Sequence, residues 1–452
     1  MGKSLSGGAA LGLALVLAAA GPVSAQSLSE VYAAALKRDP DHAAALADRA
    51  AARQNESLAR ALFRPKVQLQ ASGGASHISV EADNSASGIP HESEGASGSV
   101  ILGAQQPLIN GRYRAQARQL RAGVRAGEAE YEARLQQLAV GVSKAYFDVL
   151  KAADQVSSYE AQEASARREQ QAAQRRFEEG WARITDVREA QARADGVAAQ
   201  NVAARADYDL AVSDLYEMTG IEATNLFKVR TDLIPTAPAL PLQHWLDEAL
   251  AKAPILSVRQ EQIVASRAAA DEYRWGNQVD FALTATYGHL WRGGESAPLM
   301  GGIQVPDEGE AYFAGVQLKM PLYSGGALEA QRRQASLRAD GALARLDAAR
   351  RDVRLQVQQA WRGQTSRAEQ IGALRTALAS AELQERAALT GREVGSRTQS
   401  DVLAAQAQSF EIHRQLHSAL YDYELSRIML AAAVGGLTPD VLSEVDLDMI
   451  RP

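Results

Sequence analysis

Two kinds of hydrophobic pattern follow one another along this chain. In the first kind, apolar and polar side chains alternate with a period of two, which predicts half-buried β-strands. These strands span about residues 66–80, 99–110, 279–291 and 311–323. In the second kind, apolar residues recur three and four positions apart without any proline, which predicts long helices. These helices span about residues 111–179, 185–220, 325–391 and 399–435.

The first long helix is too long for the core of one globular domain. Apolar and mostly small side chains recur three and four positions apart from Leu135 to Phe177, with breaks only at Glu163 and Gln170, as in coiled coils that pack closely. At 1.5 Å per residue, a helix over residues 112–178 is about 100 Å long. Such a helix needs neighbouring helices along its whole length.

The third predicted strand has the strongest membrane character. Its odd-numbered residues form one apolar face, and the aromatic residues Tyr287 and Trp291 gather towards its end. A lipid-facing strand of an outer-membrane barrel has this arrangement, with an aromatic girdle at the interface. Taken alone, the strands also fit a pair of soluble hairpins.

A constant offset relates the two halves of the chain. Pro254 follows Pro40 by 254 − 40 = 214 positions, and Pro321 follows Pro107 by the same interval. After one extra residue, placed at Gly326, the offset becomes 395 − 180 = 215. It then relates Gly180 to Gly395, Asp186 to Asp401 and Gly220 to Gly435.

The offset predicts an internal two-fold repeat. The first structural repeat is residues 26–225 and the second is residues 241–440, each beginning with a helical lead. Residues 226–240 are rich in proline and form a predicted connector, and residues 441–452 form a C-terminal tail.

The first 25 residues have the pattern of a secretory signal peptide. Lys3 precedes an apolar run over residues 9–20, and a small-residue cleavage site ends at Ala25. A membrane anchor is the alternative, but the run is shorter than the roughly 20 residues that span a bilayer. We therefore expect cleavage after Ala25.

Composition narrows the function classes. The formal net charge is −6, and removal of Lys3 with the signal peptide gives −6 − 1 = −7, which argues against a nucleic-acid partner. The chain contains no cysteine, which excludes disulfides, thiolate metal sites and N-terminal acylation. No apolar run of 18 residues follows the signal peptide, so insertion into a membrane requires strands.

Four strands cannot close a barrel by themselves. Lipid does not tolerate an open sheet edge, and small barrels contain at least about eight strands. Copies of the chain must therefore share one barrel. Three copies would supply a 12-stranded transmembrane β-barrel, continued by a long α-helical barrel of coiled-coil helices in the periplasm.

Several motifs together resemble the TolC family of outer-membrane exit ducts. They are the opening SLSEVYAAALKRDP, the strand-to-helix turns QPLINGR and MPLYSGG, and the paired segments RRFEEGWARITDV and GREVGSRTQSDVL. The turn residues are Pro107, Gly111, Pro321, Gly325 and Gly326. The resemblance covers nearly the whole mature chain.

The resemblance implies a homotrimer with one continuous channel in the outer membrane of a Gram-negative bacterium. Its implied partners are outer-membrane lipid, a periplasmic adaptor and an inner-membrane ABC or RND transporter. Its cargo is protein, as in type I secretion, or small toxic compounds such as drugs or metals. By analogy with the family, the absence of an acylatable cysteine slightly favours protein secretion over export of small compounds.

The repeated segments lie where one long helix ends and the next begins. Gly180 and Gly395 are suited to left-handed C-caps. Thr185 or Asp186, and likewise Ser400 or Asp401, are good N-cap types for the returning helices. These residues can simply form hairpin turns, or the turns can be the periplasmic tip at which an adaptor docks.

By the resemblance, the tip is a gate formed by Thr185, Asp186, Arg397 and the residue at position 392. Here the family's tyrosine is replaced by Arg392, and its second gate aspartate is replaced by Ala404. We expect Arg392 to pair with Asp186 or with the glutamates at positions 178 and 179.

Asp401 is the remaining gate aspartate of the second repeat. Threefold symmetry would place three Asp401 carboxylates around the axis, which raises their pKa and favours cations.

Nothing in the sequence predicts an enzyme, a cofactor or a metal site. His413 and His417 lie four apart on a helix, but there is no HExxH motif to complete a zinc site. The glycine-rich segments lack the Lys-Ser/Thr of a phosphate loop. The alternative function is a periplasmic coiled-coil adaptor or scaffold that never enters the membrane, but it leaves the four strands without a role.

Overall fold

The computed structural model of the protein describes residues 26–79, 92–223, 225–274, 279–294 and 308–451. The predicted signal peptide lies outside these residues. In the first half of the chain, two short helices, two strands and two long helices follow one another. They are α1 (Leu28–Arg38), α2 (Pro40–Ala61), β1 (Lys66–Ser79), β2 (Glu92–Ile109), α3 (Gly111–Glu178) and α4 (Ile184–Thr219).

The second half has the same order of elements. They are α5 (Leu242–Lys252), α6 (Pro254–Arg274), β4 (Asp280–Gly294), β5 (Glu308–Lys319), α7 (Ala327–Glu393) and α8 (Gln399–Val434). The short strand β3 (Lys228–Val229) lies between the halves, and α9 (Pro439–Leu447) and β6 (Met449–Ile450) follow α8. None of the helices in the described segments has the length and apolarity needed to cross a bilayer.

Proline divides each helical lead into two helices. Pro40 is the first residue of α2, and the preceding Asp39 accepts a hydrogen bond from the backbone N–H of His42 at 2.7 Å. Pro254 begins α6 in the same way. Proline fits a first helical turn because it has no N–H to donate, so the chain turns at these two points and restarts.

The four long strands form one antiparallel sheet in the order β1-β2-β4-β5. Opposite residues across all four strands include Leu69, Leu102, Tyr287 and Tyr312, and all four side chains are exposed. A soluble sheet would cover such a row, whereas lipid solvates it. Among the described residues, β1 and β5 are each paired on one side only.

Two strand boundaries differ from the sequence prediction. Strand β2 begins at Glu92 rather than near residue 99, because backbone pairing with β1 extends through its small, polar residues. Strand β5 ends at Lys319 rather than at residue 323, because Lys319 pairs with the first residue of β4, Asp280. Beyond it, Pro321 has no N–H for a ladder hydrogen bond.

The strand-to-helix turns therefore differ between the halves. Pro107 lies within β2 beside a bulge, and Gly111 is already the first residue of α3, whose N-cap is Asn110. In the second half, Pro321 lies outside the strand, and Gly325 and Gly326 form the turn before α7.

The long helices pack side by side. Helices α2 and α4 pack against α3, and α6 and α8 pack between α3 and α7. The helices therefore form a row. The outer faces of α2 and α4 lie at one end of this row, and one face of α7 lies at the other end. Exposed leucines and valines lie on those faces, including Val202 and Leu210 on α4 and Leu337 and Leu355 on α7.

The largest core lies where α1, α3, α8 and α9 meet. Tyr146, Phe147 and Leu28 pack there with Ile428 and Leu442. The predicted connector and tail both contribute to this core, because Lys228–Val229 of the connector pairs with Met449–Ile450 of the tail. The sequence did not indicate this pairing, because two-residue strands have no detectable period.

Candidate gate at the helix tips

Both helical hairpins turn at a glycine with positive φ. The φ angle is 81° at Gly180 and 78° at Gly395. The residue after each glycine donates a hydrogen bond to the last turn of the preceding helix. Trp181 N–H donates to Arg176 O at 2.7 Å, and Ser396 N–H donates to Gly391 O at 2.8 Å. This 6→1 bond defines a Schellman cap, which favours glycine because a side chain is strained at that φ.

The N-caps of the returning helices are not the residues expected from sequence. Thr398 caps α8, and its hydroxyl accepts the N–H of Asp401 at 3.2 Å while Asp401 accepts the N–H of Thr398 at 2.8 Å. Arg183 precedes α4, and Asp186 accepts its N–H at 3.2 Å. Asp401 therefore completes a capping box with Thr398 from the third helical position, whereas Asp186 makes only the bond to the backbone N–H of the N-cap residue, since an arginine side chain cannot accept a hydrogen bond.

Thr185 and Ser400 lie within the first helical turn, so neither is a cap. Each N-cap lies two or three residues earlier than expected, and the aspartate at the third helical position accepts the backbone N–H of that N-cap residue.

The capping role of Asp401 affects its charge. Hydrogen bonds from the backbone and hydroxyl of Thr398 lower the pKa of Asp401. This direction is opposite to the rise expected for a ring of like charges. Within one chain, Asp401 is therefore held as a carboxylate.

Arg392 pairs with a residue that the sequence did not single out. Its Nη1 lies 2.6 Å from Glu169 Oε2 on α3 and 3.0 Å from Gln399 Oε1 on α8. Gln399 Nε2 also donates to Glu169 at 2.8 Å. The expected partner Asp186 instead accepts the backbone N–H of Arg183.

Glu178 and Glu179 are not the partners of Arg392 either. Glu178 accepts a hydrogen bond from Gln174, and Glu179 is the C-cap of α3. Glu169 is on α3, and its side chain contacts α7 and α8, so it joins the first hairpin to the second.

The side chains of this cluster are largely shielded. Glu169 is 14% exposed and Arg392 is 19% exposed. Removal from water makes such a pair sensitive to the loss of either partner. No short-range pattern marks Glu169, because its partners lie more than 200 positions away.

The structure does not bring all the predicted gate residues together within one chain. Arg397 lies against Gly391 at the end of α7, close to Asp401 in the second hairpin. Thr185 and Asp186 lie in the first hairpin. In the described part of the chain, no hydrogen bond or ion pair joins the two pairs.

The tips also expose apolar side chains. Trp181 is 83% exposed at the first turn, and Val394 is 75% exposed at the second. Each lies next to the glycine of its own turn. Exposed aromatic and aliphatic side chains on a protruding turn are typical of interaction sites.

Further polar contacts tie α3 to α8 above the tip. Asp154 Oδ1 accepts from Lys228 Nζ at 2.9 Å. Asp154 Oδ2 accepts from the Tyr421 hydroxyl at 2.7 Å, and His417 Nδ1 lies 2.9 Å from the same oxygen. Burial alone would raise the pKa of Asp154, but these three partners lower it.

His417 is therefore bound to a carboxylate, and His413 stacks on it at 4.5 Å. Burial and the neighbouring His417 lower the pKa of His413. Among the described residues no cluster of His, Cys, Asp and Glu is suited to a metal ion.

The sequence profile of the outer membrane efflux protein family matches residues 31–221 and 245–436, which is most of the chain. The protein belongs to this family. The efflux protein is 30% identical to the outer membrane protein TolC of Vibrio cholerae over 429 residues, which cover 94% of each chain. It is 29% identical to the alkaline protease secretion protein AprF of Pseudomonas aeruginosa, over 94% of this chain and 87% of that protein.

Solved structures support the fold. The Campylobacter jejuni CmeC outer membrane channel matches with a TM-score of 0.75 and 17% identity over 94% of this chain and 90% of that chain. The outer-membrane channel OprN matches with a TM-score of 0.74 and 18% identity over 90% of each chain. The family match and the relatives, together with this fold, confirm the predicted TolC-like export channel of the outer membrane.

Proposed function

We propose that three copies of this efflux protein form one exit duct, with a 12-stranded barrel in the outer membrane and a helical barrel in the periplasm. The observation that carries the proposal is that the row of strands and helices in one chain is open at both ends. In the part of the chain that the structure describes, one end of the row has the unpaired edge of β1 and the outer faces of α2 and α4. The other end has the unpaired edge of β5 and one face of α7.

These two ends are different surfaces, so copies join head to tail and the contact closes into a ring. Ring closure pairs β5 of one copy with β1 of the next and removes the sheet edges that lipid does not tolerate. It also covers the exposed leucines and valines of α4 and α7. The repeated order of elements, together with the two profile matches, supports an internal duplication.

The internal duplication predicts which residues meet between copies. Within one chain, Gln136 on α3 exchanges two hydrogen bonds with the backbone of Leu437 just after α8, at 3.0 and 3.1 Å. The offset of 215 positions, 395 − 180, carries Gln136 onto Arg351 and Leu437 onto Glu222. Arg351 and Glu222 are both exposed and opposite in charge, so they can pair across an interface between copies.

The tips form the gate in this proposal. Thr185, Asp186, Arg392, Arg397 and Asp401 surround the constriction, and the turns at Gly180 and Gly395 receive the periplasmic adaptor. An inner-membrane ABC or RND transporter supplies the energy. The channel needs no cofactor, performs no catalysis and does not bind nucleic acid.

Protein export is the favoured cargo class. The relatives AprF and the proteases secretion protein PrtF of Dickeya chrysanthemi, 26% identical to this chain, carry names of protein secretion. The outer membrane efflux protein BepC of Brucella suis, 28% identical over 66% of this chain, carries a name of efflux. Export of small compounds is therefore the second candidate.

Cysteine cross-linking tests the ring. The natural chain has no cysteine, so the double variant Arg351→Cys with Glu222→Cys can form only the new disulfide. Outer-membrane preparations should give a ladder that ends at three chains and collapses on reduction. The two single-cysteine variants are the controls. A ladder that stops at two chains, or recovery of the protein as a water-soluble monomer, would contradict the proposal.

A further inference from the structure

A groove lies between α3 and α7, and α8 forms its floor. It encloses about 710 Å³, and its lining includes Val140 on α3, Val353 on α7 and Met429 on α8. Met429 is 46% exposed, although its helix packs against α3 on one side and α7 on the other. The volume falls within the roughly 300 to 1,000 Å³ that is typical of pockets for small molecules.

The groove faces away from α9 and the main core. Leu425, Met429 and Ala432 line it and recur three or four positions apart, which places them on one stripe of α8. Arg427 and Ala431 lie on the opposite side of the helix and line a separate cavity with α9. The groove is also inside the row of helices and not at either end, so closure of a ring does not cover it.

The groove combines an apolar floor with uncharged polar groups. Arg367 and Asp422 are the charged residues in its lining, and they pair with each other at 3.4 Å. Gln356 and Gln359 lie at its rim and are exposed. In the described part of the chain, neither of their side-chain amides has a hydrogen-bond partner. The groove therefore offers amide donors and acceptors but no unpaired charge.

Helix packing does not impose this neutrality, because the matching positions of the other repeat are charged. An offset of 352 − 137 = 215 relates Gln137 in the lining to Asp352. The same offset relates Gln359 to Lys144, Met429 to Asp214 and Ala432 to Glu217. The uncharged lining is thus a property of this one groove.

Two glycines widen the groove. A Cβ atom at Gly141 would come no closer than 3.5 Å to a neighbour, the Cε atom of Met218. At Gly363 the nearest atom, Ser426 Cβ, would be 4.0 Å away. Both distances are ordinary van der Waals contacts, and alanine would favour the helix more than glycine does. Close packing therefore does not explain either glycine.

We propose that this groove is a binding site for an uncharged small molecule that has an apolar body and an amide or hydroxyl group. The apolar body covers Leu425 and Met429, and the polar group exchanges hydrogen bonds with Gln356 or Gln359. A charged ligand is disfavoured, because it would lose hydration in a groove that holds no unpaired counter-charge.

In the proposed ring, the bound molecule would lie on the inner wall of the duct. Three copies with four helices side by side give 12 helices, spaced about 8 to 10 Å apart. They enclose a lumen of about 10 to 14 Å in radius, after subtraction of about 5 Å for half a helix diameter. Three copies of α1 and α9 would fill that lumen, so these elements lie outside and the stripe with Met429 faces inwards. This position rests on the proposed ring, whereas the groove itself lies within one chain.

Photolabelling of the purified full-length protein in lipid nanodiscs tests the proposal. The probe is 4-benzoylbenzamide, which is neutral, has two aromatic rings and reacts well with methionine. The tryptic peptide that begins at Ile428 contains Met429 and the buried Met449, and fragmentation distinguishes them. Met429 should be labelled, and an excess of biphenyl-4-carboxamide should suppress the label. The anionic analogue 4-benzoylbenzoate should label Met429 at least about tenfold less.

Two variants change the groove in different ways. Gly363→Leu fills it and replaces a helix glycine by a better helix former, so labelling should fall at least about tenfold while the unfolding temperature is kept or raised. Gly363→Ala is its matched control and should retain most of the label. Leu425→Asp adds an unpaired charge to the floor and should also abolish labelling of Met429. Gln415→Asp, an exposed position on α8 outside the groove lining, is its control.

Equal labelling of Met429 in the wild type and in Gly363→Leu would overturn the proposal. Labelling that excess biphenyl-4-carboxamide does not reduce would overturn it too, as would labels confined to the membrane strands. These outcomes are read on single chains, so they are distinct from failure of the ring, which the cross-linking of Arg351→Cys with Glu222→Cys tests.

Discussion

Arg392 Nη1 lies 2.6 Å from Glu169 Oε2, although the two residues are 223 positions apart in the chain. The contact joins the last turn of α7 to α3, and Gln399 extends it to α8. Among the residues that the structure describes, it is the shortest ion pair between the two hairpins near their tips. Its loss should loosen one hairpin from the other.

Glu169→Gln should raise the resting conductance of the channel in planar bilayers. The substitution leaves the largely buried guanidinium of Arg392 without a carboxylate, which should lower stability by about 2 kcal/mol, less than the 3 to 5 kcal/mol of a fully buried pair. The control is Glu160→Gln, whose pair with Arg205 is exposed and contributes about 0 to 1 kcal/mol. Equal conductance in both variants would show that the Glu169 contact does not hold the gate.

Asp401→Asn should reduce the preference of the channel for cations over anions. The side-chain oxygen of asparagine can still accept the backbone N–H of Thr398, so the helix start is retained while the charge is removed. Reversal potentials in asymmetric salt measure the change, and low ionic strength should enlarge it. Asp195→Asn, on α4 away from the tip, is the control. An unchanged reversal potential in Asp401→Asn would remove this residue from the constriction.

Asp154→Asn should destabilise the protein at neutral pH and have less effect in acid. The pKa of Asp154 is lowered in the folded state, so its contribution is complete above its unfolded pKa of about 3.9 and is lost as the pH falls through the folded value. The unfolding temperatures of the wild type and of Asp154→Asn in detergent, compared at pH 7 and at pH 3, measure this loss of stability.

Asp148→Asn is the matched control for Asp154→Asn. Asp148 is 41% exposed, and its lysine partners are 3.7 and 3.8 Å away. If both variants unfold at the same temperature at pH 7, the buried cluster around Asp154 does not contribute more than a surface pair.

Glu424→Gln should stabilise the protein above pH 7. Glu424 is fully buried, and burial raises its pKa to about 7, with Arg427 as its charged partner and Asp448 nearby. A raised carboxyl pKa means that stability falls as the pH rises from about 4.5 to about 7. Glutamine mimics the protonated form, and Asp448 remains to pair with Arg427.

The gain in Glu424→Gln should be on the order of 3 kcal/mol at pH 8 and should vanish near pH 4. Melting curves at the two pH values provide the comparison. A gain of equal size at both would indicate a packing effect instead of a titration.

The sequence by itself determined the plan of this protein. The period of two and the period of three to four located the four strands and four long helices, and the offset of 214 to 215 positions indicated two halves of the same order. Gly180 and Gly395 were assigned to the helix ends, because a left-handed residue beside a helix terminus is a local requirement. The combined motifs also gave the family, which the comparisons confirmed.

Only the tertiary structure decided which side chains meet. Glu169 with Arg392, Asp154 with His417, and β3 with β6 each join segments that are far apart in sequence. Their partners depend on how the helices pack, and packing leaves no repeating pattern around a single charged residue. Periodicity and capping act over a few residues and can be read from a sequence, whereas an ion pair between distant helices depends on the rotation and height of both.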